Sequence, residues 1–337
     1  MNTAVVSVSH AGPHVSIQDA GRRGLMRFGV PQSGPMDRLA HAAANAALGN
    51  PAGSAAIEVS LGGLALECLS GRVSFAIAGG AFAIDHAGQR RASWTVATLD
   101  AGDRLAIRPG ASGSWCYLAF AGALQVPRWL GSAATHAMSG LGGGRVVSGQ
   151  KLTVGNAARR DDREGDIPRW QNPRPGGAFR ATIGPQQRFF GAETVSAFLN
   201  GPWRMSDARD RMGARLTGPP IEPRSTLDMP SEAILRGSVQ VAGDGVPTVL
   251  LADHQTTGGY PKIAALLDCD LDDFVQLRPQ DPVVFRQVSP DEAVTEARGA
   301  ASANRRYLDA ISRPRGGLDW RLLNENLIGG VVDASGD

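Results

Sequence analysis

Lysine is almost missing from this chain. Lysine and arginine together number 34 in 337 residues, yet only Lys151 and Lys262 are lysines. Wherever either cation serves, the chain uses arginine, so a lysine needs a reason. Cysteine is scarce too: Cys68, Cys116 and Cys269 lie far apart, are odd in number and show no Cys-x-x-Cys spacing. That excludes a disulfide framework and a cysteine zinc site and leaves small buried hydrophobes. Charge of one sign is lacking. The net charge is +2, the arginines are spread out, and no basic block interleaves with aromatics. Nothing there favours nucleic acid or an anionic membrane surface. No apolar run approaches the roughly 20 residues that span a bilayer. The start, MNTAVVSVSH, has neither the basic nor the long apolar region of a signal peptide. These absences lead to the expectation of a cytoplasmic protein. The phosphate-binding patterns Gly-x-x-x-x-Gly-Lys-Ser/Thr and Gly-x-Gly-x-x-Gly are absent as well, although Leu141–Arg145 is glycine-rich. No metal set is visible: His41 has only Asn45 one helical turn away.

Glycine, by contrast, is abundant, with 43 residues scattered without a period, beside 21 prolines. Many short elements joined by tight turns are the natural reading, and they favour β architecture. Short apolar runs at 61–69, 73–77, 81–84, 94–99, 104–107 and 115–120 read as strands. Ala101–Ile107, Ser148–Val154 and, more loosely, Pro279–Phe285 repeat a turn followed by period-two alternation. GVPQSGPMD at 29–37 reads as a helix start, with Gly34 as N-cap, Pro35 at N1 and Asp37 at N3, and a helix over about 36–48 stopped by Gly49-Asn50-Pro51. Ser33 and that helix N-terminus could face an anion. Glu58 is either a strand-edge residue or a placed acid. The length suggests two lobes. The boundaries fall as an N-terminal β-rich lobe at 1–155, a charged, proline-rich linker at 156–177, a second β-rich lobe at 178–288 and a tail at 289–337. The tail opens with a helix from Ser289 to near Gly299 and turns apolar near 320–328.

The richest stretch is ADHQTTGGYPKIA, 252–264. It lies between two apolar runs: 248–251 reads as a buried strand, and 263–267 returns to the core. Asp253, Thr256 and Thr257 offer polar groups, Gly258 and Gly259 permit unusual backbone angles and close approach, and Tyr260-Pro261 direct the exit. Lys262 has a compact, ionisable point charge that guanidinium cannot imitate. It is expected to neutralise an oxyanion, with Asp253 orienting the reacting group or taking a proton. Thr256, Thr257, Gly258, Gly259, Tyr260 and Ser33 are expected to hold the substrate. Upstream, SDARDRMGARL at 206–216 is either a solvated, ion-paired segment or a loop in which Arg211 or Arg215 grips an anion.

Together, GVPQSGPMD with its alanine-rich sequel, AGALQVPRWLGS at 121–132, RMGARLTGP at 211–219 and ADHQTTGGYPKIA resemble the biotin-dependent carboxyltransferase family, in order, over about residues 4–288. That family takes in allophanate hydrolase subunit 2, the Kip antagonist protein, the C subunit of 5-oxoprolinase and the carboxyltransferase domain of urea carboxylase. Departures affect the rim: VAGDG at 241–245, His254 and Ala123-Leu124 replace commoner residues, while Asp253, Thr256, Thr257 and Lys262 stand. The resemblance implies a cyclophilin-like β-barrel in two lobes with a few short helices. It also implies partners like the B and A subunits of 5-oxoprolinase, and ATP shared with a partner. No Met-Lys biotin-attachment pair occurs, so the role of the 5-oxoprolinase C subunit, in cleaving 5-oxo-L-proline to L-glutamate, is favoured. The alternatives are transfer of a carboxyl group from carboxybiotin on a separate carrier to urea or a related amide, and a non-catalytic Kip-antagonist-type binder. Prolyl isomerisation has only the fold to suggest it.

Overall fold

Alternation builds the first sheet. In Thr3–Ala11, Ala4, Val6 and Val8 are buried while the residues between them are exposed or half-buried, as expected when successive side chains point to opposite faces. A computed structural model describes residues 2–171, 173–223 and 229–316. In it Thr3–Ala11 pairs with Lys151–Gly155 and Leu64–Ser70 in a seven-stranded sheet. A six-stranded sheet centres on Trp115–Phe120, flanked by Arg72–Ala78 and Ala56–Ser60. Trp115–Phe120 is buried on both faces: Cys116, Leu118 and Phe120 enter the core shared by the two sheets, and Tyr117 and Ala119 face a helix.

That helix, α1 (Arg38–Leu48), is alanine-rich because it lies close on the sheet: Ala40, Ala43, Ala44 and Ala47 meet Ala76, Ala78 and Ala119. Larger side chains would lift it off a well-packed surface. It starts later than the sequence suggested. Ser33 and Gly34 both take positive φ, 54° and 90°, so the chain is still turning there. The N-cap is Asp37, not Gly34, with its carboxylate accepting the Ala40 N–H at 2.8 Å.

The second body is an eight-stranded sheet, mixed through one parallel pair, Phe179–Ile183 with Phe285–Gln287. The run at 206–216 is neither helix nor loose loop but the turn of a hairpin, Trp203–Arg209 with Gly213–Thr217. Pro247–Leu250 is a strand, as expected, Lys262–Leu266 is another, and Ser238–Val241 lies between them. The architecture is mainly β, with a nearly closed, barrel-shaped sheet. Helix α2 (Ala192–Asn200) packs on this body, and α3 (Asp268–Phe274) lies at the seam with the first.

Helix α4 (Pro290–Ile311) starts where the sequence placed it, in a capping box of Ser289 and Glu292. It does not end near Gly299. A Cβ at Gly299 would meet nothing, so the glycine costs about 1 kcal/mol of helix propensity and is outvoted by contacts along the helix. Glu296 accepts from Arg180, Asn304 from Trp170, and Tyr307 Oη donates to Pro168 O. Among the described residues, no helix is long and apolar enough to cross a membrane. The apolar stretch at 320–328 lies outside the described residues.

Candidate functional site

At the start of α1, five consecutive backbone N–H groups point towards the seam between the two bodies. None is left for a ligand. Met36 N–H donates to Glu58 Oε2 and Asp37 N–H to Tyr117 Oη, each at 2.8 Å. The Arg38 and Leu39 N–H groups donate to Asp272 of α3, and Ala40 N–H to Asp37. The protein's own carboxylates fill the anion site expected there. Burial, reinforced by its neighbours, raises the Asp37 carboxyl well above its usual range, and burial pushes Asp272 to about 6. Ser33 is 3% exposed and makes no well-formed hydrogen bond; its hydroxyl is near Asp253 and helps to hold that carboxylate ionised. Ser33 therefore belongs to the interior of this structure.

Arg211 and Asp253 form the centre of this interior. Arg211 is 1% exposed and Asp253 is fully buried. Arg211 Nε and Nη2 donate to the two Asp253 oxygens at 2.9 and 3.0 Å, Nη2 also reaches Gly34 O at 2.6 Å, and Nη1 donates to Glu58. Asp253 additionally accepts Ala137 N–H at 2.9 Å. Burial alone would raise the Asp253 carboxyl, but Arg211 overrides it and the pKa lies below the ordinary value. Burial likewise lowers the Arg211 pKa, and Asp253 and Glu58 more than reverse it. Two expectations are corrected here. Arg211 grips no ligand, because its guanidinium is committed inside the protein. Asp253 is not placed to take a proton, because both its oxygens already accept strong hydrogen bonds. Glu58 proves to be a placed acid, bridging Arg211, Tyr117 and the α1 N-terminus.

Lys262 sits elsewhere on the same loop and is not spoken for. Its side chain is half-buried, yet Nζ is covered and has no hydrogen-bond partner among the described residues. Burial pushes the ammonium pKa down and Glu232 pulls it back up. Gln186 holds the two in relation: its Oε1 accepts Lys262 N–H at 2.7 Å, and its Nε2 donates to Glu232. Gln240 is the cross-strand partner of Lys262, so their side chains share a face. Its amide donates to Tyr260 O at 3.3 Å, and Gln255 Nε2 lies 3.5 Å from Gln240 Oε1.

The residues between play supporting parts. Thr257–Gly258 pairs with Glu232–Ala233, and Thr256 O accepts Ile234 N–H at 3.1 Å, which fastens the Glu232 strand beside Lys262. Neither Gly258 nor Gly259 takes positive φ, contrary to expectation. Close approach is what demands glycine: a Cβ at Gly258 would lie 2.6 Å from Ile234 Cδ1 and 3.2 Å from Gln240 Nε2, and one at Gly259 would lie 3.2 Å from Met229 O. Tyr260 is 45% exposed at the rim. Sequence reasoning missed Glu232, Gln186 and Gln240. No local signal marks them, because they meet Lys262 only through sheet pairing and a long-range contact.

A model of the carboxyltransferase domain, subdomain A and B, matches residues 28–287. The chain belongs to that family. It is 33% identical to the 5-oxoprolinase C subunit of Escherichia coli (strain K12) over 335 residues, covering 96% of this chain and 100% of the relative. It is 29% identical to urea amidolyase of Saccharomyces cerevisiae (strain ATCC 204508 / S288c), covering 84% of this chain but 17% of that protein. The crystal structure of TTHA0988 superposes with a TM-score of 0.73 at 31% identity, over 84% of this carboxyltransferase-family chain and 55% of that one. The chain thus spans about half the length of that structural neighbour.

Proposed function

We propose that this chain is the C subunit of a 5-oxoprolinase, opening the lactam of 5-oxo-L-proline to L-glutamate together with A-like and B-like subunits and ATP. The observation that carries the reading is the covered Nζ of Lys262, without a hydrogen-bond partner among the described residues, in a chain with only one other lysine. Full-length similarity to a 5-oxoprolinase C subunit supports it. A lactam is an unreactive amide, and opening it places negative charge on its oxygen. Lys262 is set to neutralise that oxygen, in a site where partial burial strengthens the attraction. Glu232 and Gln186 act as positioning residues, fixing the Lys262 backbone and favouring its charged form. Gln240 and Gln255 offer amide groups that match an amide substrate.

ATP supplies the driving force in this reading, but the described glycine-rich loop offers its phosphates no cradle. The glycine-rich loop at 141–145 is filled: a Cβ on Gly143 would lie 2.6 Å from Ile17 Cγ2, and Gly144 O accepts the Ile17 N–H. Nor do the described residues contain a cluster of three His, Cys, Asp or Glu able to hold a metal. We therefore place ATP with the partner subunits and derive no step through it here. The family match and the urea amidolyase similarity favour a second reading, in which the same lysine serves carboxyl transfer to an amide from biotin on a separate carrier.

The test is ATP-dependent glutamate release by the chain isolated with its natural partners. Lys262→Ala should abolish release, and Lys262→Arg should lower turnover by more than roughly tenfold while the fold and the complex stay intact. Normal turnover in Lys262→Arg would end the proposal. No glutamate release by the wild type, together with carboxylation of urea or a related amide once a biotin carrier is supplied, would move the assignment to carboxyl transfer.

A further inference from the structure

A cavity of about 350 Å³ opens on the seam between the two bodies. It is at the small end of the roughly 300–1,000 Å³ usual for small-molecule sites. Its walls come from both sides: Met36 and Trp115 from the first body, and Met205, Leu251 and Phe274 from the second. None of these is more than 7% exposed, so the walls are apolar. His14 from the first body and Arg209 from the second also line it. No residue of the Lys262 cluster does.

Arg209 is only partly committed. Nη1 donates to Ser114 Oγ at 3.0 Å and to Leu277 O, and Nε and Nη2 have no partner among the described residues. Burial lowers its pKa, as expected for a cation short of solvent, and Asp207 and Asp281 partly offset this. His14 is held in place by backbone rather than by its own contacts. Its φ is 58°, uncommon for a residue with a Cβ. The turn that carries it is locked against the neighbouring one: Ser60 Oγ donates to Pro13 O, and a Cβ on Gly62 would lie 2.6 Å from Pro13 Cδ. Asp210, also on the rim, is turned to its own chain, with Oδ1 accepting the Met212 and Gly213 N–H groups at 2.7 and 3.2 Å.

We propose that this seam cavity binds a small monocarboxylate with an apolar body, its carboxylate held between Arg209 and His14 and its body between Trp115, Phe274, Met205 and Leu251. The apolar walls select the body, and a guanidinium with spare donors selects the anion. Such a ligand touches both bodies at once. It also touches the chain on either side of the buried centre: Arg209 and Leu251 are each two residues from Arg211 and Asp253, and Asp253 N–H donates to Arg211 O at 2.8 Å. Binding therefore fastens the seam on which the Lys262 loop rests.

The experiment is calorimetric titration of the full chain with 3-phenylpropionate, and with 3-phenylpropanol as its neutral counterpart. One saturable site is expected for the carboxylate, with at least tenfold weaker binding of the alcohol. Arg209→Gln should weaken carboxylate binding at least tenfold, with circular dichroism confirming that the variant is folded. His14→Ala removes an exposed side chain that has no structural hydrogen bond, and it should weaken binding as well. Lys262→Met should leave binding unchanged. Absence of saturable binding at millimolar probe, equal binding of the alcohol, or full binding by both the Arg209 and His14 variants would overturn the assignment. Loss of binding in Lys262→Met would overturn it too, since the probe would then be reporting on the Lys262 cluster.

Discussion

Arg211→Met tests the buried centre most directly. The substitution keeps an unbranched apolar side chain but removes the guanidinium hydrogen-bonded to Glu58, Asp253 and Gly34 O. Both carboxylates are 0% exposed, so neither gains water in exchange. Breaking a buried ion pair by deleting one partner costs about 3–5 kcal/mol. Two carboxylates are orphaned here, yet each keeps other donors: Ala137 N–H for Asp253, and Met36 N–H and Tyr117 Oη for Glu58. A loss of about 4 kcal/mol at neutral pH is therefore expected, within that range and not double it. The pH dependence should change sign as well. In the wild type the Asp253 pKa is depressed, so its contribution is present above the unfolded value and is lost as pH falls through the folded value. Without Arg211, burial outweighs the hydrogen bonds that remain and raises the Asp253 carboxyl pKa. The variant then gains stability as pH falls from neutrality towards the ordinary carboxyl range. Urea denaturation of both proteins at neutral pH and at about pH 5 should show the gap between them narrowing. The triple variant Arg211→Met, Glu58→Gln, Asp253→Asn should recover much of the loss. A neutral-pH loss under about 1 kcal/mol, or a gap independent of pH, would refute the reasoning.

Three smaller tests follow from the same geometry. His41 is buried against Tyr117, and burial lowers its pKa to about 4. The wild type should lose stability as pH falls below about 6.5, by up to about 3 kcal/mol at pH 4, and His41→Leu should lack that component in denaturant melts. Gly258→Ala should cost about 1–3 kcal/mol by overpacking and should disturb the Gln240–Gln255 pair, read as a lower melting temperature together with weakened turnover of the complex. Asp37→Ala removes both the cap on Ala40 N–H and the acceptor for Gln276 Nε2 at 2.7 Å. It should cost about 1–2 kcal/mol in the same melts.

Much of the fold could be read from the chain because its elements are local. Short apolar runs located strands such as Trp115–Phe120 and Pro247–Leu250, and Ser289 with Glu292 marked the start of α4. The errors fall where distant groups decide. Gly299 has the appearance of a stop, but Glu296, Asn304 and Tyr307 are tied to Arg180, Trp170 and Pro168, and those bonds carry the helix past it. Gly34 has the appearance of an N-cap, but its positive φ makes it part of a turn, and the cap passes to Asp37, which also answers to Gln276 from the second body.

The site divides along the same line. Asp253 and Lys262 stand nine positions apart in one polar stretch, and by residue type both are candidates for chemistry. What separates them is whether their hydrogen-bonding capacity has been used, and that depends on partners from elsewhere in the chain. Asp253 follows directly on the strand paired with Gly213–Thr217, and its N–H bonds Arg211 O, which delivers its carboxylate to the Arg211 guanidinium. Lys262 enters a strand whose neighbour presents Gln240, a neutral amide, and its backbone is held by Gln186, another neutral amide. The acid whose charge acts on it is Glu232, which among the described residues is hydrogen-bonded by Gln186 and ion-paired with Arg188 rather than with Lys262. A cation surrounded in this way has no fixed counterion among the described residues, and in the proposed function it meets one that arrives with substrate. The same buried acid–base pairing that occupies Asp253 anchors the start of the loop that leads to Lys262. Loss of Arg211 should therefore impair turnover through the position of Lys262, even though Arg211 touches no substrate.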